Sequence, residues 1–521
     1  MLFNSFIFLA GFLPATLLLF FLAGRWGRKP AGLVLTALSL GFYAWWRADH
    51  LPLLLFSIIF NCWMGGLIQQ ARAAGLAGRV QTLLTLGLAV DVGLLAWFKY
   101  VDFIIENVNL ALGSDFPLPH IALPLAISFF TFQKIAYLVD SARGDARPMG
   151  YRDFFLFAAF FPQLISGPIV HYKELAPQLQ TRWFGRISGR NLMIGTVIFA
   201  IGLFKKVVIA DTMAGYSDPL YQAAAGGERF DLVTGWLAAL CYTFQLYFDF
   251  SGYSDMAIGL ARLFGVQLPL NFHSPLRAAN ISDYWRRWHM TLQRFIVAYV
   301  FQPLSIPLNR WAARRGFSGW TAFLAAVGAP TLITFLISGL WHGAGWTFII
   351  WGAMHGFYVT GHEMWRERLR LKRRRLKKQG IVMAEPGASW LVWAHMLTLF
   401  CVILGNVMFR APTVDVALGV WAGMLGVNGL DVAAAVPGLT TGLALALLSC
   451  AAIVALAPNT QQIMADYHPA WNWDDWRDQG RPVLAWRWRP NVAGIVFAGI
   501  VLFLGVMFIQ RGAAVFLYFN F

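Results

Sequence analysis

Apolar runs of about twenty residues, each closed by charged or polar positions, recur along nearly the whole chain. A hydrocarbon core about 30 Å thick takes about 20 apolar residues of helix to cross. Ser5 to Ala23 supplies the first such run, ending at Arg25, Arg28 and Lys29. A cleavable leader carries its positive charges before the apolar stretch. Here they follow it, so the run is expected to be a retained helix with the N-terminus outside. Further runs at about Ala31 to Trp46, Leu51 to Leu67, Gln81 to Trp97 and Ile121 to Val139 alternate with loops of opposite charge. Arg72 and Arg79 are expected inside; Asp102, Glu106 and Asp115 are expected outside.

Two successive basic loops follow, one with Arg143, Arg147 and Arg152, the next with Lys173, Arg182, Arg186 and Arg190. Both cannot be internal if a simple span separates them, so the run between, Phe154 to Ile169, is predicted to be re-entrant. Its end, Phe161 to Pro168, contains two prolines and a glycine, and non-helical backbone at membrane depth needs surrounding protein or a water-filled cavity. Leu192 to Ala210 and Leu232 to Phe248 flank an acidic loop with Asp211, Asp218, Glu228 and Asp231. Asp249 to Gly319 lacks a clean apolar run and is predicted to form short tilted or interfacial helices on the cytoplasmic side. Thr321 to Leu340 and Trp346 to His362 then cross. The tract from Arg366 to Lys378 holds nine Lys and Arg and is the strongest inside marker. Trp390 to Phe409, Leu439 to Leu456 and Val492 to Ile509 complete the pattern and leave the C-terminus outside. The expectation is an all-α polytopic membrane protein with about 11–12 transmembrane helices plus re-entrant and interfacial pieces. It divides into N-terminal helices (1–140), a core (141–365), a basic cytoplasmic loop (366–389) and C-terminal helices (390–521).

Composition agrees with that class. Of 521 residues, 58% are hydrophobic and 13% charged, against about a quarter charged in soluble domains. The net charge of +16 would suggest nucleic acid in a soluble chain. Here most of it flanks apolar runs, where it holds loops inside and meets anionic lipid, so no nucleic-acid partner is expected. Cys62, Cys241, Cys401 and Cys450 lie singly in apolar runs, which gives neither a disulfide framework nor a zinc site. His355, His362 and Glu363 lack metal-ligand spacing, and Walker, dinucleotide and nucleophile-elbow patterns are absent from the sequence. Neither a metal nor a tightly bound cofactor is expected.

Ionisable residues inside apolar surroundings mark function by default. They cluster at Tyr247, Asp249 and Asp255, at Asn271 and His273, at Trp285, Arg286, Arg287 and His289, and at Trp341 and His342. His342 sits between apolar runs beside Gly343, where backbone can approach a ligand closely, and an imidazole exchanges protons near neutral pH. His355, inside the next helix, reads as a packing residue.

Trp285, Arg286, Arg287, Trp288, His289, followed some fifty residues on by Leu340, Trp341, His342, Gly343, resembles the signature of the membrane-bound O-acyltransferases. The run Tyr247 to Gly259 is similar to the bacterial branch that contains the alginate O-acetyltransferase membrane subunit and the D-alanyl transferase of teichoic acids. Phe161 to Pro168, Phe409 to Ala411, Pro458 to Thr460 and Tyr518 to Phe521 extend the likeness. The resemblance implies a bundle around a central tunnel, an acyl thioester such as acetyl coenzyme A docking on the cytoplasmic side, and an acceptor arriving from the other. It implies His342 as the catalytic histidine and His289 as its companion. Tyr247, Asp249, Asp255, Trp285, Arg286, Arg287 and Trp341 become candidate substrate-binding residues, and Arg286, Arg287 and Arg277 could meet coenzyme A phosphates.

The chain departs from the alginate-like pattern after His289, where Phe295 to Tyr299 and Gln302 to Leu304 replace a charged pair and a glycine-rich turn. The acceptor therefore stays open among exopolysaccharides, peptidoglycan and other secreted glycans. No segment reads as a soluble glycan-binding domain, which favours a periplasmic acyltransferase partner; the expected location is the bacterial inner membrane. A carrier-protein donor such as a D-alanyl carrier, a non-catalytic polysaccharide or lipid translocase, and a purely structural subunit are the alternatives.

Overall fold

The structure, a computed structural model, describes residues 1–146, 150–430, 441–480 and 482–509. Among these, all regular secondary structure is helical. Ile7–Gly24, Ala48–Ala73, Ala77–Leu112, Gly189–Ala225, Gly319–His342 and Ala388–Arg410 are each long and apolar enough to cross a membrane. Val414–Met424, Thr441–Leu456 and Val492–Phe508 are shorter apolar helices. The expected aromatic tail Tyr518 to Phe521, Arg147 and the start of the 439–456 run at Leu439 lie outside the described residues.

The axis of the core is the helix Leu232–Leu263, which is buried along almost its whole length. It corrects one expectation: the apolar run predicted to end at Phe248 continues as helix for another four turns. Asp249 and Asp255 suggest a loop to a hydropathy reading. In the fold they face cations on the neighbouring Gly189–Ala225 helix, Asp249 at 2.7 Å from Lys206 and Asp255 at 2.7 Å from Lys205. The ladder therefore need not break to hydrate them. The two helices touch through glycine. A Cβ on Gly195 would lie 2.7 Å from the Gly259 carbonyl oxygen, and one on Gly202 would lie 2.6 Å from the Met256 nitrogen. Small residues let backbones approach where lipid offers no hydrophobic drive.

The predicted re-entrant run is broken as expected. Tyr151–Ala159 stops at Phe160, which has extended ψ, and Phe161–Leu164 is a single turn opened by Pro162. Residues 165–171 are non-helical and buried. Side chains satisfy this buried backbone, the Phe161 N–H donating to Ser39 Oγ at 3.2 Å and the Ile169 N–H to Thr291 Oγ1 at 3.0 Å. After Leu263 the chain makes an irregular connector and the short helices Ile281–Arg287 and Met290–Ile296. Helical backbone then continues through Val297–Phe301 into Gln302–Arg314. The basic tract expected as a loop is helical too, because Trp346–Lys378 is one continuous helix whose exposed end is laced by Arg366–Glu363 and Arg370–Glu367 pairs. The segment after Leu456 folds back over the 268–287 connector. There the Leu270 N–H donates to Asn472 Oδ1 at 2.8 Å, and His273 Nε2 meets the Gln479 carbonyl at 2.8 Å.

Candidate active site

The two histidines singled out in the sequence come from separate elements and meet in the core. His342 is the last residue of its helix, and Gly343 leaves in extended conformation. The glycine is required there, since a Cβ on Gly343 would lie 2.1 Å from the Phe348 ring. The His342 ring is buried among aromatics, with centroids at 4.6 Å from Trp341, 5.0 Å from Trp351 and 5.1 Å from Phe409. The His289 ring also lies near Trp341, with centroids 6.2 Å apart.

His289 occupies the left-handed region, at φ 44°, a conformation a non-glycine residue holds only when its surroundings over-determine it. Those surroundings are a hydrogen-bonded chain. Ile169 N–H donates to Thr291 Oγ1, which donates to Asn271 Oδ1 at 2.9 Å. The same amide oxygen accepts the Thr291 backbone N–H at 3.3 Å, while Asn271 Nδ2 donates to Ser254 Oγ at 2.9 Å. A backbone N–H can only donate, so it fixes which end of the Asn271 amide faces His289. His289 Nδ1, 3.0 Å from that oxygen, must carry the proton, and Nε2 is left with the lone pair. The buried non-helical segment 165–171, the 232–263 helix and the 271–273 connector thus together set one tautomer of one histidine.

The model of the membrane-bound O-acyltransferase family matches residues 82–408. The chain belongs to that family. A peptidoglycan O-acetyltransferase of Helicobacter pylori is 39% identical over 458 residues, covering 83% of this chain and 81% of the relative. A probable alginate O-acetylase of Pseudomonas aeruginosa is 37% identical over 433 residues, 81% of this chain and 75% of the relative. A teichoic acid D-alanyltransferase of Bacillus subtilis is 27% identical over 250 residues, 47% of this chain and 60% of the relative. The protein is therefore a multi-pass membrane acyltransferase.

Within this membrane-bound O-acyltransferase the other predicted site residues divide. Trp341 belongs to the histidine cluster and is stacked on Phe132 at 5.2 Å. Trp285 lies one layer away, its Nε1–H donating to His355 Nδ1 at 3.3 Å, so His355 is a packing residue as expected. Tyr247 packs towards the cluster through Phe272 and Trp288. Asp249 and Asp255 are brace points: Asp255 holds Lys205 and accepts Thr460 Oγ1 at 2.6 Å and Gln461 Nε2 at 2.7 Å, tying the Pro458 to Thr460 motif to the core. Asp283 pairs with both arginines, with Arg287 at 2.9 Å and with Arg286 at 3.2 Å, and 61% of the Arg286 side chain is exposed. Arg277 bonds the carbonyls of Val454 and Ala457.

Sequence reading missed Lys99 and Tyr100. Both sit on the Ala77–Leu112 helix and reach the end of the His342 helix, Lys99 donating to the Trp341 carbonyl and Tyr100 to the Leu340 carbonyl at 2.9 Å. Lys99 is also 3.4 Å from Ser128 Oγ and is buried. A lysine just past an apolar run was the available signal, since an intramembrane cation needs a partner.

Proposed function

We propose that the protein takes an acetyl group from a cytoplasmic thioester, acetyl coenzyme A, and passes it towards hydroxyls of an extracytoplasmic polysaccharide, with a periplasmic acyltransferase partner completing the transfer. The observation that carries this reading is the approach of two buried histidines from distant segments to the one ring of Trp341, one of them with its tautomer fixed. A thioester is already activated, so transfer chiefly needs a base at the acceptor hydroxyl. His342 takes the hydroxyl proton as the oxygen attacks the thioester carbonyl. When the C–S bond breaks, that proton goes to the departing thiolate, leaving an acetyl ester, a free thiol and a neutral imidazole. His289, with its lone pair on Nε2, accepts a hydrogen bond from a second donor of the acceptor, such as a neighbouring hydroxyl, and so orients it for attack; it has no proton there with which to polarise a carbonyl. No tightly bound cofactor enters this scheme.

The relatives named for O-acetylation of alginate and peptidoglycan support the acetyl group and a glycan acceptor. Charge asymmetry, with the exposed basic end of the 346–378 helix, supports the bacterial inner membrane as the site and cytoplasmic entry of the donor. The test is turnover of labelled acetyl coenzyme A by the purified protein, with and without periplasmic extract. His342→Ala should lower turnover by about 10²-fold or more with the protein still folded; wild-type turnover by that variant would remove the histidine from the chemistry. The similarity to a D-alanyltransferase favours a carrier-bound donor as the second reading, and acyl-carrier dependence with no response to acetyl coenzyme A would select it.

A further inference from the structure

A cavity of about 250 Å³ whose lining includes Tyr247 but neither His289 nor His342 lies between the 232–263 helix and the C-terminal helices. Its walls are apolar: Phe204 and Phe248 on the inner side, Ile453 and Val454 from Thr441–Leu456, and Phe497 and Val501 from Val492–Phe508. The opposite faces of those two C-terminal helices expose Leu445, Leu448, Ile495, Val496 and Phe503, as segments do that border hydrocarbon. One end of the cavity is different in kind. It is formed by Arg277 and Lys205 with Ser274, Asn459 and Thr460.

Lys205 is neutralised by Asp255. Arg277 is not neutralised by any carboxylate among the described residues. Two of its nitrogens meet the neutral carbonyls of Val454 and Ala457, and its Nη1 is buried without a hydrogen-bond partner among the described residues. A half-buried guanidinium held by carbonyls alone keeps its full charge, and an orphaned donor adds the desolvation cost of a missing bond. An acidic oxygen at this end would relieve both. An acetyl group, with two carbons, has no use for an apolar chamber of this size, and a small free anion has no use for its walls. A hydrocarbon chain with an acidic head uses both.

We propose that this cleft binds an anionic phospholipid, one acyl chain lying between the 441–456 and 492–508 helices and the phosphate on Arg277. Basic pockets between membrane helices select anionic headgroups in this way, and a lipid bound to the folded state raises its stability. By the charge pattern, the Arg277 end faces the inner leaflet, where the connector 264–280 and the segment after Leu456 lie together.

The experiment uses the full-length protein, delipidated in detergent and returned to phosphatidylglycerol or phosphatidylcholine. Thermal unfolding is read by intrinsic fluorescence and bound lipid by native mass spectrometry. Wild type should retain one phosphatidylglycerol and unfold several degrees higher in it than in phosphatidylcholine. Arg277→Gln should lose the headgroup preference, and Val454→Trp, which fills the cavity and leaves Arg277 in place, should lose the bound lipid should the arginine variant fail to fold. Equal effects of the two lipids, or an undiminished phosphatidylglycerol effect in Val454→Trp, would overturn the proposal. So would a full shift from glycerol phosphate alone, which would make the site a free-anion site. Loss of stabilisation by acetyl coenzyme A in Val454→Trp, with the phosphatidylglycerol effect retained, would give the cleft to the donor instead.

Discussion

Two residues that never touch the proposed reacting atoms set the active centre. Asn271 imposes the tautomer of His289, and Lys99 holds the carbonyl of the residue before His342. The Lys99 ammonium also sits at the C-terminal end of a helix, where the backbone dipole favours a cation. Removing it leaves a buried carbonyl without its donor, at a cost of about 1–3 kcal/mol localised at the end of the His342 helix. Lys99→Met is expected to reduce acyl transfer by about tenfold or more through displacement of that helix end, with Lys99→Arg restoring part of it. If Lys99→Met unfolds at the wild-type temperature and keeps wild-type turnover, the lysine has no positioning role. Asn271→Leu removes the acceptor that pins the His289 proton. It should lower kcat by about tenfold or more with a smaller change in the donor KM, and a change confined to KM would point to substrate contact instead.

At the scale of elements, the helix pair 319–342 and 346–378 positions His342 through direct backbone contact. A Cβ on Gly339 would lie 2.2 Å from the Phe348 carbonyl oxygen, and one on Gly352 would lie 2.3 Å from the Phe335 carbonyl oxygen. Neither neighbour is a flexible side chain, so the helices themselves would have to separate. Gly339→Val should therefore abolish recovery of folded protein or cost at least about 3 kcal/mol, as overpacking at a rigid contact does. Gly345→Ala is the matched control: its nearest neighbour would be 3.6 Å away and its backbone is extended, so folding and turnover should survive. Size-exclusion recovery and thermal unfolding of the two variants would decide between a packing requirement and a general intolerance of this turn. The same principle explains why the 232–263 helix carries Asp249 and Asp255 without breaking, since cations on the next helix replace water.

At the scale of the whole molecule, the basic helix end, residues 366–378, is the strongest charge marker of orientation, and the side expected for the connector 264–280 and the segment after Leu456 follows from it. Cysteine introduced at Arg374 in sealed cells should react with a membrane-permeant maleimide and be spared by an impermeant one. Labelling by the impermeant reagent would invert the topology and with it the side on which the donor enters. Cys62, Cys241 and Cys450 are buried, which keeps their background low.

The apolar runs by themselves determined an all-helical membrane bundle, because hydropathy is a property each segment has alone and the length of a crossing is set by the bilayer. They also gave the interruption at Phe161 to Pro168, since prolines and glycine act on their own backbone. The motif carried both histidines and the family. What hydropathy could not supply was anything that depends on a partner elsewhere. Asp249 and Asp255 signalled the end of a helix until Lys206 and Lys205 stood opposite them. Lys99 signalled the edge of a span until it met a carbonyl 242 positions away. Asn271 was one polar residue in a cluster until Thr291 fixed its amide. A buried polar group has the meaning of the group it faces, and only the tertiary structure decides which group that is.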